Sequence, residues 1–363
     1  GAAVATGPAK QRSNILRSDY AGSAACARCH AEIHARWQRS PMHNMTRLPE
    51  RAEIAAPFSD AAFRFKDDRV VLSQQGGTRF LRIESPKFGD HLFRITKVIG
   101  GHHREDFAGL EIARPAPDAP IIGDPHDERV LPVSYVLASK SFRYKGYSVM
   151  LPERSGLRRG AVWNRTCIFC HNTVPYFSTI LGALAGPGTP PFQGSVVDAL
   201  LPAERKQTFT ITDEPALRQA VQDEIAFLRG RDPSSSMVAA FDEKPVREIL
   251  KQGVAYTRSL FKQSHLVEVG IGCESCHLGS KDHVQDSKLR PSYAPRSPFL
   301  AARPEAHSRG QQINRLCARC HQVLFSQYAH TWEGGARRGN PGGSNINSGE
   351  ARDLLLSPCG DQL

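Results

Sequence analysis

Eight of the nine cysteines fall into four pairs of one form: Cys26-Ala-Arg-Cys29-His30, Cys167-Ile-Phe-Cys170-His171, Cys273-Glu-Ser-Cys276-His277 and Cys317-Ala-Arg-Cys320-His321. Two thiols separated by two residues curl the backbone into a short helical turn that shows both sulfurs to one edge of a flat ligand. The histidine that follows projects over the ring face. This is the arrangement that attaches a haem c: two thioethers to the porphyrin vinyl groups and one imidazole on the iron. Zinc ribbons need paired CxxC but no histidine after each second cysteine. A thioredoxin-type dithiol needs no fourfold repetition, and a disulfide framework belongs to smaller chains. Histidine is 14 of 363 residues, so a histidine after all four pairs has a chance of only about two in a million from composition alone, which favours the haem pattern. The expected cofactor is therefore four haem c, with iron. Cys26, Cys29, Cys167, Cys170, Cys273, Cys276, Cys317 and Cys320 form the thioethers. His30, His171, His277 and His321 are the proximal ligands.

Ten histidines remain for the far side of the irons. His43 lies thirteen residues past His30, beyond Trp37 and Pro41, and suits a distal ligand for its own haem or a neighbour. His102 and His103 follow two glycines, and at least one is expected to bind iron. His283 comes six residues after His277. His265, eight residues before Cys273, and His307, ten before Cys317, are candidates by local spacing. His34 is four residues from His30 on a helix, on the proximal side, and cannot reach that iron's other face. His91, His126 and His330 read as ordinary surface or hydrogen-bonded groups. Methionine is scarce at four residues and is more often core filler than ligand.

The elements that hold these groups can be sketched from the pattern. Residues 24–39 read as a helix entering with the first motif. Residues 63–99 contain short strand-like runs, "FRF", "RVVLS", "RFLRIES" and "HLFRITKVI", parted by turn signals. Residues 130–150 read as two more strands. Helices are expected near 213–229, with acidic residues in the first turn, and near 242–264. Pro-rich loops occur at 186–193 and 291–304, and the stretch from Trp332 to Glu350 reads as coil. The expected fold is mainly α with irregular loops and a small β insertion, a multihaem architecture organised around packed haems. Residues 1–150 would form an N-terminal region with the first haem and the β-rich insertion. Residues 151–363 would carry the other three haems.

Composition narrows the class. Apolar residues make up 40% of the chain, with 30 glycines and 25 prolines, which suits a loop-rich protein whose interior is filled by something besides side chains. The formal charge is 47 − 36 = +11. Four haems bring about −2 each through their propionates, which leaves roughly +3, so the basic balance reads as compensation for an anionic cofactor and not as nucleic-acid binding. No run approaches the ~18 apolar residues of a membrane span. The small, flexible start "GAAVATGPAK" has no signal-peptide pattern and is expected of a mature or recombinant chain.

Several segments resemble the multihaem c-type cytochromes related to the tetrahaem electron acceptor of hydroxylamine oxidoreductase. "YAGSAACARCHAEIHARWQRSPMH" is similar to their opening, with a Trp, a Ser and a His after the first motif. "GGHHREDF" with "LPVSY" resembles their double-histidine segment, "WNRTCIFCHNT" their second motif, and "VGIGCESCHLGSKDH" the segment in which a histidine soon after the motif binds iron. The likeness covers most of the chain in pieces and is most specific at 163–173 and 268–283. It implies bis-histidine haems in close pairs and a periplasmic or otherwise extracytoplasmic role in electron transfer. His43, His102 or His103, and His283 match its ligand positions. Two features depart from it: Leu278-Gly279-Ser280 stands where the family often has Gly-Pro-Gly, and the odd Cys359 near the end leaves open a free or paired thiol, or a longer cytochrome of which this chain is a piece.

The leading functional expectation is an electron carrier working between donor and acceptor proteins. Two axial histidines block exogenous ligands and favour transfer over catalysis. The alternative is a reductase or oxidase of a small nitrogen or sulfur compound, with His102, His103 and Arg104 around an open iron. A third reading is a subunit of a larger membrane redox complex or of a cytochrome polymer.

Overall fold

The computed structural model describes residues 12–145, 156–165, 167–185, 208–230, 244–303 and 308–321, together with 354 and 357. The expectations for the loop at 186–193, for His307, for the coil after Trp332 and for Cys359 lie outside the described residues, as does the end of the strand pair after residue 145.

The expected mainly α fold is overturned. Residues 46–144 build an eight-stranded antiparallel sheet, curved until it nearly closes on itself. Its strands are β1 (Thr46–Arg47), β2 (Ala61–Phe65), β3 (Asp68–Gln75), β4 (Thr78–Glu84), β5 (His91–Gly100), β6 (Arg104–Glu111), β7 (Arg129–Val136) and β8 (Ser141–Tyr144). β2 to β8 pair in chain order, and β1 pairs with β5. The two ends of the sheet meet where Phe65 of β2 stacks on Tyr144 of β8, ring centroids 4.3 Å apart. The reason lies in alternation. Val70, Leu72, Leu81, Ile83, Phe93, Ile95, Phe107, Leu131 and Val133 all point to one interior and are buried. That is a core in its own right and not an insertion on a helical one.

Helices form the rest. α1 (Ser23–Ala27) and α2 (Ala31–Gln38) replace the single helix expected over 24–39, with a break at the first motif. α3 (Ile168–His171) carries the second motif, and α4 (Tyr176–Ala185) follows it. α5 (Glu214–Leu228) and α6 (Val246–Leu260) lie where the sequence places helices. α5 starts at Asp213, whose carboxylate accepts the Ala216 N–H, with a proline in the first turn, a standard N-terminal signature. α7 (Cys273–His277) and α9 (Arg309–His321) carry the third and fourth motifs, with α8 (Lys281–Gln285) between them. A two-stranded sheet pairs β9 (Thr208–Ile211) with β10 (Leu300–Arg303). The apolar faces of α4, α5 and α6 make a second core around Ile180, Leu181, Val221, Ile225, Ile249 and Val254.

A smaller core joins the sheet to the segment that carries the second CxxCH motif. Trp163, Ile168, Phe169 and Phe261 pack there with Ile99, Ala108 and Val130 of the sheet. The second motif is thereby fixed to the sheet wall.

Candidate functional site

The first two CxxCH segments each close a helical turn. The His30 N–H donates to the Cys26 carbonyl at 2.9 Å, and the His171 N–H to the Cys167 carbonyl at 3.0 Å. The third and fourth motifs lie on α7 and α9. No disulfide joins these eight cysteines.

The motifs start 141, 106 and 44 residues apart in sequence, yet they meet in space. The thiols of Cys26 and Cys273 lie close enough to perturb each other's ionisation, as do those of Cys170 and Cys320. The first of these contacts pushes Cys26 up and holds Cys273 down at about 7. α7 touches both α1 and α9, and α9 touches α3. The third turn therefore neighbours the first and the fourth, the fourth neighbours the second, and Ser275 Oγ of the third reaches Thr173 Oγ1 just past the second at 3.1 Å, so the four turns form one cluster.

The segment from Glu268 to Ser280 holds the cluster together. Toward the first motif, the Glu274 carboxylate accepts the N–H groups of Ala21 and Gly22, at 3.0 and 2.7 Å, and that of Ser280 at 2.8 Å. Ser23 Oγ donates to Glu268 and accepts the Cys273 N–H at 2.9 Å. Toward the second motif, Thr173 Oγ1 accepts the Gly272 N–H at 2.7 Å and donates to the Gly270 carbonyl at 3.0 Å. Gly270 has φ +82°, and a Cβ there would collide with the His43 carbonyl, so glycine is required for the close approach. Toward the fourth motif, Arg319 donates to the Ser275 carbonyl at 3.1 Å.

The candidate distal histidines are placed as follows. His283 faces His30 of the first motif, ring centroids 6.2 Å apart and planes 26° from parallel. Two imidazoles on opposite sides of one iron need about 6 Å, from two ~2 Å metal bonds and two ring radii of ~1.1 Å. The His283 Nδ1–H donates to the Leu289 carbonyl at 3.1 Å, which fixes the tautomer and leaves the Nε2 lone pair available, the condition a metal-binding histidine needs. Burial pushes the nearby His277 imidazole below its ordinary value, and the His283 and His30 rings add to that.

His43, His102, His103 and His171 line one open cavity of about 1250 Å³. That is room for a macrocycle, given that ordinary ligand pockets run from about 300 to 1,000 Å³. Nδ1 of His43 and Nδ1 of His171 are both buried without a partner. Burial, with the charge of Lys145, pushes His171 down to about 4 against the pull of Asp106. Burial also lowers His43. His102 and His103 sit at the turn between β5 and β6, rings 4.3 Å apart. Gly100 (φ +80°) makes that turn, and a Cβ there would stand 2.8 Å from the Arg104 carbonyl. Arg47 braces it, donating to the Gly100 carbonyl at 3.1 Å and to Glu105 at 3.0 Å.

Three histidines have other surroundings. His265 is buried, its Nδ1 accepts the Lys262 N–H at 3.3 Å, and its ring lies against Phe227 and Phe261. Burial, then Arg17 and Lys262, push it down to about 4. His91 uses both ring nitrogens, on Glu111 at 2.7 Å and on the Phe88 carbonyl at 3.2 Å. His34 packs on Trp37, whose indole N–H donates to the Ile271 carbonyl at 2.9 Å and whose other neighbour is His43. Sequence reasoning passed over Glu268, Glu274, Thr173 and Arg319, which tie the motifs together. Their only signal is proximity to a CxxCH.

No family model matches the chain, and no curated protein matches it. Among solved structures, the crystal structure of outer cell wall cytochrome OcwA is similar at a TM-score of 0.34 and 14% identity, over 93% of this chain and 47% of that one. The chain spans about half the length of that protein. A likeness this weak fixes neither fold nor function. Among the described residues, no helix is long and apolar enough to cross a membrane.

Proposed function

We propose that this chain is an extracytoplasmic multihaem c-type cytochrome that relays electrons between donor and acceptor proteins through four haems. The observation that carries the reading is the convergence of four CxxCH turns, far apart in sequence, into one contiguous cluster. Covalently bound haem supplies one-electron chemistry that needs no proton transfer. The chain's own part is to attach, orient and space it. The eight motif cysteines hold porphyrin edges, and the Cys26–Cys273 and Cys170–Cys320 contacts bring those edges side by side in two pairs. His30, His171, His277 and His321 are the proximal ligands.

His283 completes the first site opposite His30. His43 and the His102–His103 pair share the cavity of His171 and supply its distal side or a neighbour's. His307 stays a candidate ligand by its local spacing, ten residues before Cys317. His265 acts as a core group, because its Nδ1 is engaged and its ring is enclosed. A place within a membrane redox complex or a cytochrome polymer is compatible with this relay.

A second reading has one observation in its favour. His102, His103 and Arg104 are exposed at the mouth of the large cavity beside His171, where a small nitrogen or sulfur compound could meet an open iron. Intact mass after denaturation tests the haem reading: the expected result is an increase matching four covalent haems, and zinc without iron ends it. Protein-film voltammetry then separates relay from enzyme. Reversible waves unchanged by nitrite, hydroxylamine or sulfite are expected, whereas a large catalytic current with any of them favours the second reading.

A further inference from the structure

Motifs one and four have the same sequence, Cys-Ala-Arg-Cys-His, and their arginines have opposite surroundings. Arg28 is exposed. Arg319 turns inward. Its guanidinium lies over the Tyr176 ring at 4.2 Å and donates to the Ser275 carbonyl inside the third motif at 3.1 Å. Its Nε is buried without a partner. Among the described residues no carboxylate pairs with it. Its charge is felt at Cys320 beside it, at Cys276 of the third motif and at Cys170 of the second. Arg319 therefore places an uncompensated cation where three of the four haem-binding turns meet.

We propose that Arg319 is the residue that sets the reduction potentials at this junction, holding the haems of the third and fourth turns higher than they would otherwise be, and that Arg28 has no such effect. The inference rests on the four-haem reading above. Reduction of a ferric haem adds one electron and removes one unit of positive charge from the site. A fixed cation nearby favours the reduced form, and it does so more strongly where water is excluded. An exposed cation on the first turn is screened by solvent. The electron comes from the electrode or chemical titrant, and no bond is made or broken in the chain.

The test is a spectroelectrochemical titration of the haem-loaded protein and of Arg319→Gln, Arg319→Lys and Arg28→Gln. Arg319→Gln should shift one or two of the four steps to lower potential by about tenfold in the reduced-to-oxidised ratio, which is 59 mV for a one-electron couple. Arg319→Lys keeps the charge and should restore the steps. Arg28→Gln should leave all four in place. Four unmoved steps in Arg319→Gln overturn the proposal. So does an equal shift in Arg28→Gln, and so does an Arg319→Lys variant displaced as far as the glutamine one, since packing would then be the cause. Where Arg319→Gln loads fewer than four haems, the lysine variant decides: native loading with native potentials supports the charge, and altered potentials remove it. Failure of the four-haem reading shows separately, as a wild-type mass without covalent haem.

Discussion

His283 donates its Nδ1–H to the Leu289 carbonyl and stands 6.2 Å, centroid to centroid, from His30. His283→Ala should therefore convert one quarter of the low-spin haem signal to high spin by electron paramagnetic resonance. His91→Ala, whose ring nitrogens are already engaged, should change nothing, and an unaltered spectrum in His283→Ala removes that residue from the ligand set. His265 gives a pH prediction. Its folded pKa, about 4, lies below the ordinary histidine value near 6.5. Between those values the unfolded chain binds a proton that the folded one refuses. Stability is thus fully present above about pH 6.5 and falls as pH drops toward 4, by up to about 3 kcal/mol from this group. Thermal melts of the haem-loaded protein should show a flatter acid limb in His265→Gln, and an identical limb would sink the assignment. The four CxxCH motifs were legible because their pattern is local, spelled out in five residues. The closeness of His283 to His30 was not, because bringing together residues about 250 apart in sequence depends on tertiary structure.

At the scale of elements, the segment 268–280 is where the motifs are tied together. Glu274 is buried and accepts three backbone N–H groups, Ala21 and Gly22 from before the first motif and Ser280 from its own segment. Glu274→Ala strands those donors and should cost about 3 kcal/mol or more in denaturant unfolding followed by haem absorbance, with Glu274→Gln losing less. Equal stability in wild type and Glu274→Ala would show that the carboxylate does not join the segments. The helices at α5 and α6 could be read from their periodicity and caps. β6 could not, and with it went the closed sheet. "HHREDF" looks like a charged turn, but Glu105 and Asp106 are both buried on a strand. Arg47 and the Ala55 and Ala56 N–H groups satisfy the first, and Ser134 and Lys145 the second. Buried charge with distant partners breaks the alternation on which strand reading depends.

At the scale of the molecule, the third turn contacts both the first and the fourth, so on the proposed four-haem reading the third haem stands between the first and the others. Replacing Cys273 and Cys276 by alanine should then slow electron equilibration between the first haem and the others at least tenfold in flash-reduction kinetics. The same change at Cys167 and Cys170 should leave exchange among the other three intact; equal slowing in both variants would rule out this placement. The contacts of the first turn also have a history in time. The donors of the first turn, at Ala21, Gly22 and Ser23, find their acceptors only at Glu274 and Glu268, 245 to 253 residues downstream. The first turn is thus early in synthesis and late to close. High contact order makes such closure slow. On the proposed extracytoplasmic reading, Cys26 and Cys29 would be bare thiols in an oxidising compartment during that interval. The sulfur that ends beside Cys26 is Cys273, so an oxidant acting on a closed but haem-free chain would cross-link two different motifs and block both. Attachment must outrun closure, and the fold itself makes premature folding a dead end.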